Sequence, residues 1–440
     1  MKFKRKHGFC IFPIFLLFLI FSLTGCTFST SIETLLTPPK LTKQQQQIYN
    51  ALTNSVGNSI TLQYPKTGEN LSSFIIADLD DDKEDEAIVF YKKNSAAGED
   101  ELRINVLDIK NNKWSSVFDA AADGTEVEKI DIRKLGESDT TYISIGYSFV
   151  SGTGKSLVIY KYKDLMLNTT FRTPYNYYSV DDYDKDSKNE LFVIQNITNT
   201  EETSKAVYYE FDSAGLAPHP IERNLSELAS DVKNVLFGSL SDGSTSVYID
   251  EIVGSSTIQT EVLHIINNKM EISERDLTLT QRQQEYASVD IDSDGQIEVP
   301  VKGELFPGYV ETDTDAVYKT VWLKDDGSSF SEKYVGYYNI SGGLAFVLPP
   351  AWKNNVTCIF DSVKEEYVFA RYNNSIEQST SALLYVAAGK TADEAADLVS
   401  DGYTQINEHL GAYSLIYVPQ SEDKLIRKTE MIKGNIFFVN

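Results

Sequence analysis

The sequence predicts a mainly β fold: a β-propeller of about five blades, each a four-stranded antiparallel sheet, followed by a small α+β domain. Three observations predict it. Acidic nonapeptides recur at spacings of 104 and 108 residues, each between two runs of alternating apolar residues. A weaker copy sits midway in each gap, which brings the period to roughly 50 residues, the length of a propeller blade. After about residue 340 the repeat stops and a helix-containing pattern begins.

The first 26 residues read as a targeting segment. Lys2, Lys4, Arg5 and Lys6 form a basic stretch, and residues 9–23 form an apolar core too short for a comfortable permanent span. Leu23-Thr-Gly-Cys26 resembles the bacterial lipobox, in which the cysteine becomes the lipidated N-terminus of the mature chain. That resemblance implies lipidation at Cys26 and tethering at the extracytoplasmic face of the cell membrane. Residues 27–40 read as a flexible tether, and 41–56 as an amphipathic helix with Ile48, Leu52 and Val56 on one stripe. The helix is expected to pack on the rim or base of the propeller, which completes a unit over 41–340.

The nonapeptides are Asp78-Leu-Asp-Asp-Asp-Lys-Glu-Asp-Glu86, Asp182-Tyr-Asp-Lys-Asp-Ser-Lys-Asn-Glu190 and Asp290-Ile-Asp-Ser-Asp-Gly-Gln-Ile-Glu298. Each places a carboxylate at positions 1, 3, 5 and 9. The candidate metal ligands are Asp78, Asp80, Asp82 and Glu86; Asp182, Asp184, Asp186 and Glu190; and Asp290, Asp292, Asp294 and Glu298. Oxygen donors wrapped by a short loop suit a hard cation, calcium first. Acidic turns also form without metal, because Asp and Asn favour turn geometry. Position 6 ranks the loops, since a sharp turn there favours glycine. Only the third loop has it, at Gly295, so the Asp290 loop ranks first, ahead of those with Lys83 and Ser187.

The weaker copies start at Asp131 and Gly238. The first keeps Asp131, Gly136 and Asp139, and the Arg133 guanidinium is expected to neutralise its remaining acids. The second keeps only Asp242 and Gly243. Neither is expected to hold metal.

These loops and their following apolar strands resemble the FG-GAP/VCBS family of propeller repeats over about residues 70–340. The Asp290 loop matches best, and the other two depart at position 6. The resemblance implies a propeller with calcium in its blade loops, as in integrin α-subunit heads, and implies no particular activity. Residues 39–91 also look like VCBS-type lipoproteins of clostridial bacteria.

The C-terminal region, 341–440, reads as a separate α+β domain. Strand-like runs cover 356–360, 366–372, 382–387 and 412–419, and residues 437–439 are expected to close its sheet. Thr391 and Glu394 form a capping-box pattern, and Gly402 suits a helix stop.

The chain carries 40 basic and 64 acidic residues, a net charge of −24. Removing the four basic residues of the targeting segment makes it more negative still, which argues against nucleic acid and against direct docking on anionic lipid. Cys10 leaves with the signal and Cys26 carries lipid, so Cys358 is left without an intramolecular partner and is expected to be a small buried residue. The mature chain has three histidines, His219, His264 and His409, with no metal-ligand spacing among them. No nucleophile elbow, phosphate loop or dinucleotide fingerprint is present. The expected role is therefore a calcium-stabilised binding or scaffolding module without enzyme activity, engaging an envelope protein or glycan. The rival is a polysaccharide hydrolase or lyase with its carboxylates at the propeller axis.

Overall fold

The computed structural model describes residues 41–93, 101–149, 154–195, 204–213, 220–266, 269–272 and 276–439. The targeting segment, the tether, Cys26 and His219 lie outside them. The fold is mainly β. Six antiparallel sheets and three helices are present among the described residues.

The N-terminal helix Lys43–Val56 starts where Thr42 caps it: the Thr42 hydroxyl accepts from the Gln45 N–H and the Gln45 side chain accepts from the Thr42 N–H. Its apolar stripe buries Ile48 and Leu52 completely. The first sheet holds Ile60–Gln63, Phe74–Ala77, Glu86–Lys93, Leu102–Lys110 and Lys113–Ala121. Side chains alternate across the Glu86–Lys93 strand. Ala87, Val89 and Tyr91 meet Ile48 and Leu52, while Ile88 and Phe90 point to the opposite face. The helix thus packs on the face of the first sheet turned away from the second. Each fully buried aliphatic contributes about 1.5–3 kcal/mol.

The same two-faced packing repeats. The second sheet (Glu126–Lys134, Thr141–Ser148, Lys155–Lys163, Met166–Pro174) meets the first through Ile143, Ile145 and Val158. It meets the third (Tyr177–Asp181, Glu190–Gln195, Lys205–Tyr209, Ile221–Asn224) through Tyr142, Leu157 and Ile159 against Leu191 and Val193. Phe192 and Ile194 then face Val247 and Ile249 of the fourth sheet (Asp231–Ser239, Thr245–Ile252, Thr257–Ile266, Lys269–Ile272, Arg282–Gln283). Tyr248 and Val262 face Val299 of the fifth. Among the described residues no apolar cluster joins the first sheet to the fifth.

The weaker copies fall in a different register from the one read in the sequence. Asp131 lies inside the strand Glu126–Lys134 and Gly238 inside Asp231–Ser239, whereas Asp78 follows its strand. The buried residue that matches Leu79 and Tyr183 is Leu135, so the turn there is shorter. Arg133 does not neutralise Asp131. It pairs with Glu69 at 3.5 Å, and Asp131 pairs with Lys129 at 2.9 Å.

The boundary read at residue 340 runs through a sheet. The fifth sheet comprises Val299–Leu305, Tyr318–Asp325, Phe330–Asn339, Leu344–Val347 and Ile436–Phe438, so the strand at 436 closes this sheet rather than the expected sheet of strands 356–417. Between its last two strands the chain builds the sixth sheet (Val356–Asp361, Glu366–Arg371, Ala382–Lys390, Thr404–His409, Ala412–Tyr417) and the helix Ala392–Ser400. The Thr391/Glu394 capping box starts that helix, and Gly402 follows it at φ +94°. Cys358 is fully buried beside Phe346, Trp352 and Phe369, and burial raises its thiol pKa well above the ordinary value. No helix among the described residues is long and apolar enough to cross a membrane.

Candidate metal centres

All three acidic loops share one backbone design. The position-1 carboxylate accepts two backbone N–H groups: Asp78 from Asp82 and Lys83, Asp182 from Asp186 and Ser187, Asp290 from Asp294 and Gly295, at 2.9–3.2 Å. The position-9 glutamate folds back and accepts from the position-2 N–H, in the pairs Leu79–Glu86, Tyr183–Glu190 and Ile291–Glu298, at 2.8–3.0 Å. Positions 4 and 6 are left-handed in every loop. Lys83 at φ +74° and Ser187 at φ +72° adopt the conformation that Gly295 adopts at +84°, at about 1 kcal/mol of strain each.

These bonds turn the remaining oxygens inward. Ligand oxygens of Asp78, Asp80 and Glu86 lie within 4.8 Å of one another, as do those of Asp182, Asp184 and Glu190, and those of Asp290, Asp292 and Asp294. The loops are also joints. Asp81 accepts from the Thr141 N–H and hydroxyl of the second sheet, both at 3.0 Å. The Tyr183 carbonyl accepts from the Thr245 hydroxyl of the fourth sheet at 2.6 Å. The Gly295 carbonyl accepts from the Ser239 N–H at 2.7 Å.

In the first two loops the buried glutamates have no counter-ion. Glu86 is 1% exposed and Glu190 is 3% exposed, and neither forms an ion pair among the described residues. Burial pushes Glu86 up to about 7, with the Leu79 N–H opposing it and Asp80 and Asp108 adding to it. Burial pushes Glu190 up to about 8, and Asp184 adds to that shift. Asp108 and Glu210 bring one further acid near each loop, each on the strand paired beside its position-9 glutamate or just beyond that strand's end. The buried Tyr162 hydroxyl, under the field of Asp108, Glu86 and Asp80, has no hydrogen-bond partner among the described residues. Lys188 pairs with Asp186 at 3.3 Å on the second loop, but among the described residues no cation pairs with either buried glutamate. An all-oxygen donor set around such a glutamate fits a hard divalent cation.

The third loop differs. Lys333 reaches in from the strand Phe330–Asn339 and sets its ammonium 2.6 Å from Glu298, 2.8 Å from Asp294 and 3.1 Å from Asp292. The Tyr334 hydroxyl donates to Asp292 at 2.6 Å. Burial raises the Asp292 carboxyl, but Tyr334 and Lys333 reverse this and hold it below its ordinary value.

Asp108, Glu210 and Lys333 are absent from the nonapeptide pattern. Sheet register brings them in, and no short-range signal announces it. Outside the loops, His264 is buried against Asp325, and His409 lines a groove of about 190 Å³ that carries no acid. The carboxyls of Glu251 and Glu261 lie between the third and fourth sheets, both held above the ordinary range by burial. Ser226 N–H donates to Glu261 and Gln259 to Glu251, at 3.0 and 2.9 Å. A groove of about 470 Å³ separates the N-terminal helix from the 110–114 hairpin, lined by Gln47, Asn50, Asn54, Asn112, Lys113 and Trp114 among others.

No family model and no curated protein matches the chain. Solved structures do. An endo-arabinase from Bacteroides thetaiotaomicron VPI-5482 is 10% identical over 63% of this chain and 98% of its own, with a TM-score of 0.25. An exo-β-1,3-galactanase from Clostridium thermocellum is 12% identical over 83% of this chain and 82% of its own, with a TM-score of 0.21. Both are named as enzymes. These names run against the expectation of a binding or scaffolding module without enzyme activity, which is withdrawn. At these TM-scores the likenesses themselves carry no argument for an activity of this chain.

Proposed function

We propose that the chain is a divalent-cation-stabilised protein of the FG-GAP/VCBS type, held by lipid on Cys26 at the extracytoplasmic face of the cell membrane. Calcium is the first candidate ion, in the Asp78 and Asp182 loops. The observation that carries the reading is the pair of buried, uncompensated glutamates, Glu86 and Glu190, each converging with two aspartates. A cation at either site would neutralise the charge and stiffen a joint between sheets. The five repeated sheets are read as five propeller blades. The helix Lys43–Val56 covers the face of the first sheet turned away from the second.

The test is thermal unfolding of the full chain in millimolar calcium and in chelator. Extracellular calcium modules bind at roughly 0.1–1 mM. An ion at 100 times its dissociation constant stabilises by about 2.7 kcal/mol per site. A calcium-dependent rise in midpoint is expected, and identical midpoints would overturn the reading. Cys26→Ala is expected to release the protein from the membrane fraction.

A second reading is that the chain acts on polysaccharide. One feature favours it: the groove beside the N-terminal helix offers the Trp114 indole and the amides of Gln47, Asn50, Asn54 and Asn112. Apolar sugar faces stack on an indole, and amides pair with hydroxyls. No carboxylate lines that groove, so it supports sugar contact rather than hydrolysis. Release of reducing ends from soluble polysaccharides would support this reading. No release and no retardation in affinity electrophoresis would remove it.

A further inference from the structure

We propose that Lys333 is the resident cation of the third acidic loop, so that the Asp290 loop closes without a metal while the Asp78 and Asp182 loops each take one. This deepens the cation-binding reading and rests on it.

An ammonium has three N–H donors and no acceptor. Lys333 meets three carboxylates, those of Asp292, Asp294 and Glu298, which supply positions 3, 5 and 9 of the loop. Its side chain is 11% exposed. A divalent ion held by the same oxygens would sit against the ammonium, so ion and lysine exclude each other. Tyr334 supplies a further donor to Asp292, which leaves that carboxylate less to offer a metal.

The fold shows why a lysine bridges three carboxylates of this loop, whereas Lys188 of the Asp182 loop pairs with one loop acid, Asp186, at 3.3 Å. Trp322 pairs with Tyr334 and Leu323 with Glu332, so Lys333 is the extra residue of a β-bulge. Bulges re-aim side chains. The first sheet has the corresponding bulge: Val106 pairs with Phe118 and Leu107 with Ser116, which leaves Val117 as the extra residue. In the second sheet the extra residue is Thr170, between the pairs Ile159–Phe171 and Tyr160–Thr169. A bulge that presents valine beside the Asp78 loop presents lysine beside the Asp290 loop. The order of the loops is therefore the reverse of the one Gly295 indicated. The glycine suits the turn, and the lysine fills the site.

The joint at Ser239 and Gly295, between the fourth and fifth sheets, is then indifferent to calcium, whereas the joints at Asp81–Thr141 and Tyr183–Thr245 depend on it.

The experiment is calcium titration by calorimetry, with the bound ion counted per chain, on the full chain in detergent. Two ions are expected for the wild type and three for Lys333→Met. In chelator Lys333→Met is expected to unfold at a lower midpoint than wild type, with calcium restoring the difference. Two ions in both proteins, or three in the wild type, would overturn the role of Lys333. No ion in the wild type and one in Lys333→Met would support Lys333 while refuting the cation reading of the first two loops. If Lys333→Met does not fold, Asp290→Asn decides. An unchanged ion count supports the proposal, and loss of one ion overturns it.

Discussion

His264 Nε2 lies 2.6 Å from Asp325 Oδ2, with both side chains withdrawn from solvent, and the pair links the fourth sheet to the fifth. Asp325 also accepts from the Gly327 N–H at 2.9 Å, which fixes its carboxylate. Asp325→Ala is expected to cost about 1–3 kcal/mol, because it strands a buried imidazole. Urea unfolding measures it. A cost near zero would mean that water replaces the lost partner and that the pair is not a joint.

The Glu251–Glu261 pair sets a pH dependence that calcium does not touch. Burial holds both carboxyls above their ordinary value of 4.5, so the folded state keeps protons that the unfolded state releases. The stability they contribute is fully present below pH 4.5 and falls as pH rises toward the raised folded values. Glu251→Gln, which mimics the protonated form, is expected to flatten the decline between pH 6 and pH 9. Midpoints measured in chelator across that range would show it. An unchanged slope would assign the decline to other groups.

Glu190→Gln has opposite effects with and without calcium. In chelator the raised folded value, about 8 against an ordinary 4.5, means that the ionised side chain is costly at high pH. Its contribution is favourable below pH 4.5 and is lost through pH 8. At pH 9 in chelator the variant is expected to be more stable than wild type, on the order of 2 kcal/mol. In calcium it is expected to lose most of the stabilisation that the second loop supplies. A variant less stable than wild type in both buffers would mean that the glutamate serves only the turn.

Gly136 is the tightest of the inter-sheet glycines. Its φ is +55°, its N–H donates to the Asn189 carbonyl at 2.8 Å, and an added Cβ would stand 1.8 Å from the Phe211 carbonyl oxygen. Gly136→Ala is expected to cost about 2 kcal/mol or more, from overpacking and left-handed strain together. Gly411→Ala is the control, with φ +79° and nothing within 4 Å of the new Cβ, and is expected to cost about 1 kcal/mol. Equal losses in guanidinium unfolding would mean that backbone strain alone sets the effect.

Local signals were legible in the sequence and distant ones were not. The capping box read at Thr391 with Glu394 spans three residues, and the structure forms it. The acidic loops are nine residues long and their bonds are internal, so their geometry follows from their own residues. Lys333 enters its loop through a bulge, and Asp108 approaches Glu86 through sheet register. Neither is visible without knowing which strands pair. The weak copies misled because a shorter turn needs no acid at its first position. The buried Leu135, which matches Leu79 and Tyr183, marks the turn better than Asp131. The C-terminal boundary misled for a related reason: the end of the sequence repeat is not the end of the sheet.

Leu344 pairs with Phe438 although the entire sixth sheet is built from the residues between them. This imposes an order of events on a chain that emerges from its N-terminal side. The first four sheets are each made from neighbouring segments and can form as they appear. The fifth stays one strand short until the 436–438 segment arrives, and until then Leu344 and Phe346 offer an unpaired apolar edge. Limited proteolysis of chains arrested near residue 420 should find the fourth sheet protected and the fifth cut.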